Sequence, residues 1–338
     1  MNDVDRKNGH IDLALQQQDS SSDFDQVRLR HRALPEVNFQ DIDLSVQFLS
    51  YKLSAPLFVS SMTGGPLRAE RINRHLAEAV CELGLAMGVG SQRIAIEQGK
   101  KSGMTSTIRD AIGRCPLMAN FGAVNLLTLK SISDLGYVLD PLEADAIILH
   151  LNPMQEIFQC RGDTNWKGVL DAIDAVCSWA PVPVVVKEVG FGLDRESAKR
   201  LLDAGVSVLD VAGQGGTRFD EIEQELAAGT ERPEISNTAF KNWGYSTVES
   251  LRALHSDFPD STLWASGGIR DGLDIAKSLC LGASAAGVAG TVLGSALEST
   301  DAVIARLSRL IYELKIACFG TGVSQVTQLN ECQIMEEK

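Results

Sequence analysis

Positive charge is scarce in this chain: 31 lysines and arginines face 44 aspartates and glutamates, for a formal net charge of −13. A field of that sign repels nucleic acid and anionic membrane, so neither is expected as a partner. Any anionic small molecule must find its cations gathered locally. The seven cysteines, at positions 81, 115, 160, 177, 280, 318 and 332, are odd in number and form no C-x-x-C pair. That excludes a disulfide framework and a zinc site, and leaves buried, reduced thiols as the expectation. The first residues, Met1 to Lys7, carry no apolar run, which argues against a signal peptide. No apolar stretch approaches the ~20 residues of a membrane helix, so a soluble, cytoplasmic protein is expected. No G-x-G-x-x-G follows the first strand pattern, which argues against a classical dinucleotide fold.

The composition that is present, 44% hydrophobic and 22% charged over 338 residues, can fill one large core. Residues 1–50 read as a polar, irregular arm, with an arginine-rich stretch at Arg28-Leu29-Arg30-His31-Arg32. From Ala55 onward, short apolar runs alternate with helical patterns. Strands are expected at 56–60, 85–89, 117–120, 146–151, 182–187, 208–211, 263–265 and 285–288. Helical patterns lie between them, as at 68–83, 196–204 and 272–281, the last with Leu273, Ala276, Leu279 and Cys280 at helical spacing. Parallel neighbours need crossover connections, so eight such units predict a closed (β/α)8 TIM barrel. Residues 1–338 are expected to form a single domain: an N-terminal arm, 1–50, that contributes to the substrate site, the barrel, 51–320, and a polar tail, 321–338. Residues 213–244 are too long for an ordinary βα loop and carry Glu221, Glu223 and Glu225. They suggest a long insertion after strand 6 that acts as a flap.

Barrel enzymes do their chemistry at the C-terminal ends of strands. Here polar and glycine-rich tokens recur at those ends, from Ser61-Met62-Thr63-Gly64-Gly65 and Gly90-Ser91-Gln92-Arg93 to Ser266-Gly267-Gly268 and Ala289-Gly290. Glycines after the last two strands, with Arg270, let backbone N–H groups approach a phosphate. Tight turns would also favour glycine. Lys187 follows five residues of strand, and its ammonium must reach a polar partner. The paired glycine turns resemble those of the FMN-binding barrels, which implies that Lys187 faces a flavin ring with Ser61, Met62, Thr63, Ser91, Asn120 and Thr217 nearby; the alternative is that it leaves the barrel mouth. His150, Asn152, Gln155 and Glu156 follow strand 4, where Glu156 could hold Mg²⁺ or simply be solvated. Arg6, Lys7 and His10 could be a solvated tail or, with Arg93, the local cations that the global charge lacks.

Seven motifs together resemble the type 2 isopentenyl-diphosphate isomerases. They are Arg6-Lys7-x-x-His10, Met62-Thr63-Gly64-Gly65, Gly90-Ser91-Gln92-Arg93, His150-Leu151-Asn152-x-x-Gln155-Glu156, Lys187-Glu188-Val189-Gly190-x-Gly192, Ala212-Gly213-x-Gly215-Gly216-Thr217 and Ser266-Gly267-Gly268-Ile269-Arg270. The resemblance implies FMN, active when reduced, against Ser61, Met62, Thr63, Ser91, Asn120, Lys187 and Thr217. The FMN phosphate would be held around Gly267, Gly268, Arg270, Ala289 and Gly290. It further implies a diphosphate substrate held by Arg6, Lys7, His10, Ser91, Arg93 and Gln155. His150, Asn152 and Gln155 would stand at the reacting end, with Mg²⁺ on Glu156. The implied activity is interconversion of isopentenyl and dimethylallyl diphosphates in isoprenoid biosynthesis. NAD(P)H is the implied reductant, and the implied assembly is a homo-oligomer, a tetramer or octamer. The competing enzyme is an FMN-dependent 2-hydroxy-acid oxidase or dehydrogenase. That chemistry wants a histidine just before the phosphate turn, and residues 263–268 contain none. An inosinate-dehydrogenase-like enzyme wants a cysteine in 213–244, also absent. A non-enzymatic phosphate-binding barrel would be colourless, whereas bound FMN is yellow.

Overall fold

A computed structural model describes residues 3–17, 22–62, 67–98, 106–227, 239–331 and 334–335. Eight parallel strands close into a barrel: β1 (Leu57–Val59), β2 (Ala86–Gly88), β3 (Leu117–Gly122), β4 (Ala146–Leu151), β5 (Val184–Glu188), β6 (Val208–Asp210), β7 (Leu263–Ala265) and β8 (Ala285–Val288). Each strand pairs with the next in sequence, and β8 returns to β1. Helices cover the outer face and side chains fill the inner one, so these strands read as unbroken apolar runs rather than alternating ones. The register sets Gly122, His150, Lys187 and Asp210 side by side across β3 to β6. One row of the barrel thus delivers three ionisable groups to the same level.

The arm is more ordered than its polarity suggests. It contains helix α1 (Asp3–Gln16) and an antiparallel hairpin, Val46–Phe48 with Tyr51–Leu53. Phe48 stacks on Trp264 with ring centroids 4.4 Å apart and also meets Phe58, which plugs the end of the barrel where the strands begin. The opposite end is left open. Two further helices follow: α2 (Leu67–Leu83), which packs on the chain's last long helix, Thr300–Thr321, and α3 (Pro153–Phe158), which starts directly after β4 and borders the open end. The insertion after β6 carries α4 (Phe219–Leu226), and α5 (Gly290–Glu298) and α6 (Thr300–Thr321) close the chain around the barrel.

Three details differ from the sequence expectation. In the helix Gly272–Cys280, Ile275, Ala276 and Leu279 are buried but Leu273 is exposed, because the core-facing stripe is centred one residue further on. The tail after Gly322 is tied down: Val326 and Leu329 are buried, and Ile334–Met335 pairs antiparallel with Arg28–Leu29. Of the cysteines, Cys280 and Cys318 are buried, Cys115 and Cys177 are half-buried, and Cys81 and Cys160 are exposed. The exposed pair lies on the outer shell, away from the barrel core. All six are free thiols, and Cys332 lies outside the described residues.

Candidate functional site

A cavity of about 1150 Å³ opens at the C-terminal ends of the strands. Pockets for one small molecule run to about 300–1,000 Å³, so this one has room for two ligands side by side. Its lining includes Arg6, His10, Ser61, Met62, Ser91, Arg93, Asn120, His150, Asn152, Gln155, Glu156 and Lys187. It continues through Thr217, Gly267, Gly268, Arg270, Ala289 and Gly290. Of the residues singled out in the sequence, Thr63 and the Lys7 side chain lie outside the described part.

One end of the cavity is built from backbone. The loops after β6 and β7 lie face to face, and a Cβ on Gly213 would fall 2.2 Å from the Thr247 nitrogen. Gly267, at φ +87°, would put a Cβ 2.1 Å from the Gly213 oxygen. Both positions therefore demand glycine, Gly213 for packing against the helix start at Thr247 within its own connection and Gly267 for packing between the two loops, in addition to any ligand they approach. Thr247 Oγ1 donates to the carbonyls of Ser266 and Gly267 at 2.8 and 2.7 Å, which fixes the turn. Gly290 begins α5, whose first turn has no side-chain cap, so its N–H groups are open to an anion. Thr217 faces this start across the cavity. Arg270 is differently placed from a free phosphate ligand. Its Nε donates to Asp274 at 2.8 Å and its terminal nitrogens reach Asp25, which leaves its guanidinium largely committed. Arg306 of α6 also lines this end, donating to the Arg270 carbonyl at 2.9 Å. Nothing local in the sequence marks Arg306, since it arrives from a helix that follows the whole barrel.

The middle of the cavity is a buried polar floor. Lys187 is 9% exposed, so it does not escape through the barrel mouth, and its Nζ donates to the Glu188 carbonyl at 2.7 Å. Burial pulls its pKa down, against the nearby carboxylates of Asp210 and Glu188. Burial, with help from Lys187, lowers the His150 imidazole to about 3, so it is neutral. Its Nδ1 lies 2.7 Å from Asn120 Oδ1, which makes Nδ1 the protonated nitrogen and leaves Nε2 as an acceptor. Ser61 Oγ is buried at the cavity wall without a hydrogen-bond partner.

The other end is made of side chains. Helix α1 packs on α4 and α5 and closes over the site. Gln17 and Arg218 exchange two hydrogen bonds, at 2.9 and 3.3 Å, across 201 residues of sequence. Beneath them Glu223 of α4, fully buried, lies 3.0 Å from His10 Nε2 and 3.7 Å from an Arg6 nitrogen. Both approaches suit ion pairs but are poorly aligned as hydrogen bonds, so Arg6 Nε and one terminal nitrogen remain without partners. Gln155 Nε2 donates to the same Glu223 oxygen at 3.0 Å, and Asn152 Nδ2 donates to Gln155 Oε1 at 3.2 Å. Burial alone would raise the pKa of Glu223, but the approach of His10, the Gln155 hydrogen bond and the charge of Arg6 outweigh it and hold the carboxylate below its usual range. Glu156 is buried rather than solvated. It accepts from Asn152 Nδ2 at 2.9 Å and from the Asp163 N–H at 2.7 Å, and burial raises its pKa. Asp163 in turn meets Arg93 at 3.4 Å and Asn125 at 3.0 Å.

Comparison with known proteins gives this arrangement a family. A family model described as FMN-dependent dehydrogenase matches residues 152–336. An isopentenyl-diphosphate delta-isomerase of Cronobacter sakazakii is 47% identical, covering 97% of this chain and 96% of its own. That of Xanthobacter autotrophicus is 45% identical over 96% and 95%, and that of Rickettsia prowazekii 40% over 98% and 98%. The chain belongs to the isopentenyl-diphosphate delta-isomerase family. The fold is shared more widely. A mandelate oxidase variant superposes with a TM-score of 0.68 at 18% identity, covering 97% of this chain and 90% of its own. A lactate oxidase of Pediococcus acidilactici gives 0.70 at 17% identity, covering 98% and 90%.

FMN, which the family implies, and Mg²⁺, which the sequence resemblance implies, meet different residues in the cavity. A flavin fits the backbone-built end and the floor: glycine turns and an uncapped helix start for its phosphate, and the unpartnered Ser61 hydroxyl and Lys187 beside its ring. Mg²⁺ fits more narrowly. Among the described residues no cluster of three or more His, Cys, Asp or Glu could hold a metal, so Glu156 cannot form a cage. Each Glu156 oxygen retains a second lone pair, and the neighbouring Asn152 Oδ1 is buried without a partner. Two oxygens suit Mg²⁺ when substrate phosphate and water complete the shell. Sequence reading placed Glu223 only in a flap. Its pairing with Gln155 depends on how the insertion folds back, which no local pattern encodes.

Proposed function

We propose that this protein interconverts isopentenyl and dimethylallyl diphosphates, with reduced FMN and Mg²⁺ as cofactors and NAD(P)H as reductant. It works as a soluble homo-oligomer, a tetramer or octamer. The observation that carries this reading is the division of one cavity into a glycine-built end and a cationic end. Arg6, with its buried unpartnered donors, and His10 hold the diphosphate, assisted by Lys7, Ser91 and Arg93. The global charge of −13 makes this local gathering of cations necessary. Glu156 and Asn152 Oδ1 would hold Mg²⁺, which would supply positive charge to offset the charge of the diphosphate.

Moving the double bond needs one proton delivered to carbon and another removed from a different carbon. FMN, when reduced and bound, supplies a proton donor and acceptor at its N5. The chain supplies the rest. Lys187 would supply a cation to the flavin, and Ser61, Met62, Ser91, Asn120 and Thr217 would hold and orient it. The neutral amide of Gln155 cannot carry a proton by itself, but Glu223, kept ionised 3.0 Å away, can accept one. Asn152 and Glu223 clamp that amide from both sides, and neutral His150 lines the reacting region without adding charge. An alkene is a weak base, so the site must exclude water and hold its groups close. Helix α1 and the α4 flap provide that cover.

The fold shared with mandelate and lactate oxidases keeps a hydroxy-acid reading in view. However, His10 and His150 are the cavity-lining histidines among the described residues, and neither lies before the phosphate turn. His255, the one closest in sequence, packs against Gly282 instead. Proton NMR of isopentenyl diphosphate incubated with protein and Mg²⁺ tests the choice. Dimethylallyl diphosphate should accumulate with reduced FMN and not with oxidised FMN. No conversion under either condition, with turnover of a 2-hydroxy acid, rejects the proposal.

A further inference from the structure

Three elements meet beneath the floor of the cavity at a residue that does not line it. Asp210 ends β6, in register with Lys187 on β5 and with Trp264 on β7. Its carboxylate is 1% exposed and accepts the Ser266 hydroxyl at 2.7 Å. Ser266 is the residue just before the Gly267-Gly268 turn. The Asp210 carboxylate also receives the backbone N–H groups of Ala212 and Ser266. Ala212 stands at φ +39°, a conformation that costs a non-glycine residue about 1–3 kcal/mol. It is retained because its N–H is held by Asp210 and its carbonyl accepts the N–H of Gly190 at 2.8 Å. One carboxylate therefore braces the loop after β5, the glycine run after β6 and the turn after β7.

The same carboxylate is the charge that answers Lys187. The charged or titratable groups around that ammonium are Glu188, Asp210 and His150. His150 is neutral, and Glu188, whose own carboxylate accepts the Phe191 N–H, is pushed up to about 8 by burial. Burial raises the pKa of Asp210 as well, but Asp210 shares the register of Lys187 and so faces the same side of the strands, whereas Glu188, the next residue along β5, faces the other; Asp210 is therefore the carboxylate placed to answer an ammonium with little solvent around it.

We infer that Asp210 is a positioning residue for the cofactor: it keeps Lys187 protonated beneath the ring and, through Ser266 and Ala212, fixes the turns that take the phosphate. This rests on the proposed flavin site but adds a residue outside it. The two ends of the flavin site are then coupled through a group that neither touches the cofactor nor faces solvent.

The test is the reduction potential of bound FMN measured against pH for the wild type, Asp210→Asn and Ser266→Ala. With Asp210 neutralised, Lys187 loses its proton more readily, and reduction then draws that proton back. The potential of Asp210→Asn should therefore begin its steeper fall about 1–3 pH units below the wild type. Ser266→Ala should shift it in the same direction by less, because Asp210 loses one stabilising donor. Superimposable profiles for flavin-loaded wild type and Asp210→Asn overturn the inference and leave the flavin site standing. If Asp210→Asn does not fold, the Ser266→Ala profile decides alone, and identity with wild type overturns the inference. Wild-type protein that takes up no flavin overturns the proposed function, and this inference with it.

Discussion

At one end of the cavity Gly213, Gly267 and Gly268 bring backbone against backbone, whereas at the other Arg6, His10, Gln155 and Glu223 bring side chains together from the arm, a βα loop and the flap. The first end has its geometry fixed by the barrel, since its loops leave adjacent strands. The second exists only while α1 stays docked on α4, through contacts such as Gln17–Arg218. Under the proposed function each end would hold a ligand phosphate, but by different means: fixed dipoles in one, mobile charges in the other. The glycine end should therefore respond to substitution as a matter of fold, and the cationic end as a matter of chemistry.

The largest effect is expected at the glycine end. Gly267→Ala combines φ +87° with a Cβ 2.1 Å from the Gly213 oxygen, a backbone atom that cannot swing aside. It should cost roughly 2–4 kcal/mol of stability and abolish flavin retention, read by thermal melting and the visible spectrum. Wild-type stability with flavin retained would show that the loops are looser than they look. At the other end Glu223→Gln should leave the melt and the flavin almost untouched yet slow turnover by about 10²–10⁴-fold. Equal kcat in the two proteins would remove Glu223 from the chemistry.

The floor between the two ends should show itself in pH. His150 has its folded pKa depressed from 6.5 to about 3, chiefly by burial. A depressed pKa contributes stability that is complete above 6.5 and is lost as pH falls toward 3, because the unfolded chain takes up the proton first. Urea unfolding of wild type should weaken by up to ~1.4 kcal/mol per pH unit below 6.5 relative to His150→Asn. Parallel curves would mean that His150 is solvated. Smaller effects are expected further along the cationic end. Glu156→Gln should raise the Mg²⁺ concentration needed for half-maximal turnover about 10–100-fold, and an unchanged titration would reject the metal role. Gln17→Ala, which loosens the arm by removing its bonds to Arg218, should cost only about 0.5–1.5 kcal/mol and raise KM more than it lowers kcat.

The same contrast explains what could be read in advance. All eight barrel strands lie where apolar runs predict them, because strands buried on both faces leave an unbroken signal. Glycines such as Gly213 and Gly267 mark their turns for a reason carried by each residue alone. The arm was harder. Its helix α1 has little apolar character, since it is stabilised by docking on the flap rather than by its own pattern. The partners of Gln155 and Lys187 were hidden for a related reason: Glu223 and Asp210 are ordinary acidic residues until folding removes their water. Whether Glu156 is buried or solvated is not legible locally, because the N–H that reaches it belongs to Asp163, beyond the helix.

The account depends on two ligands sharing one cavity of about 1150 Å³ without competing. Titrating flavin-loaded protein with isopentenyl diphosphate and Mg²⁺, while following the visible spectrum and the free flavin released, tests this most directly. A saturable spectral change with FMN retained at one per chain is the predicted result. Release of FMN as the diphosphate binds would contradict it.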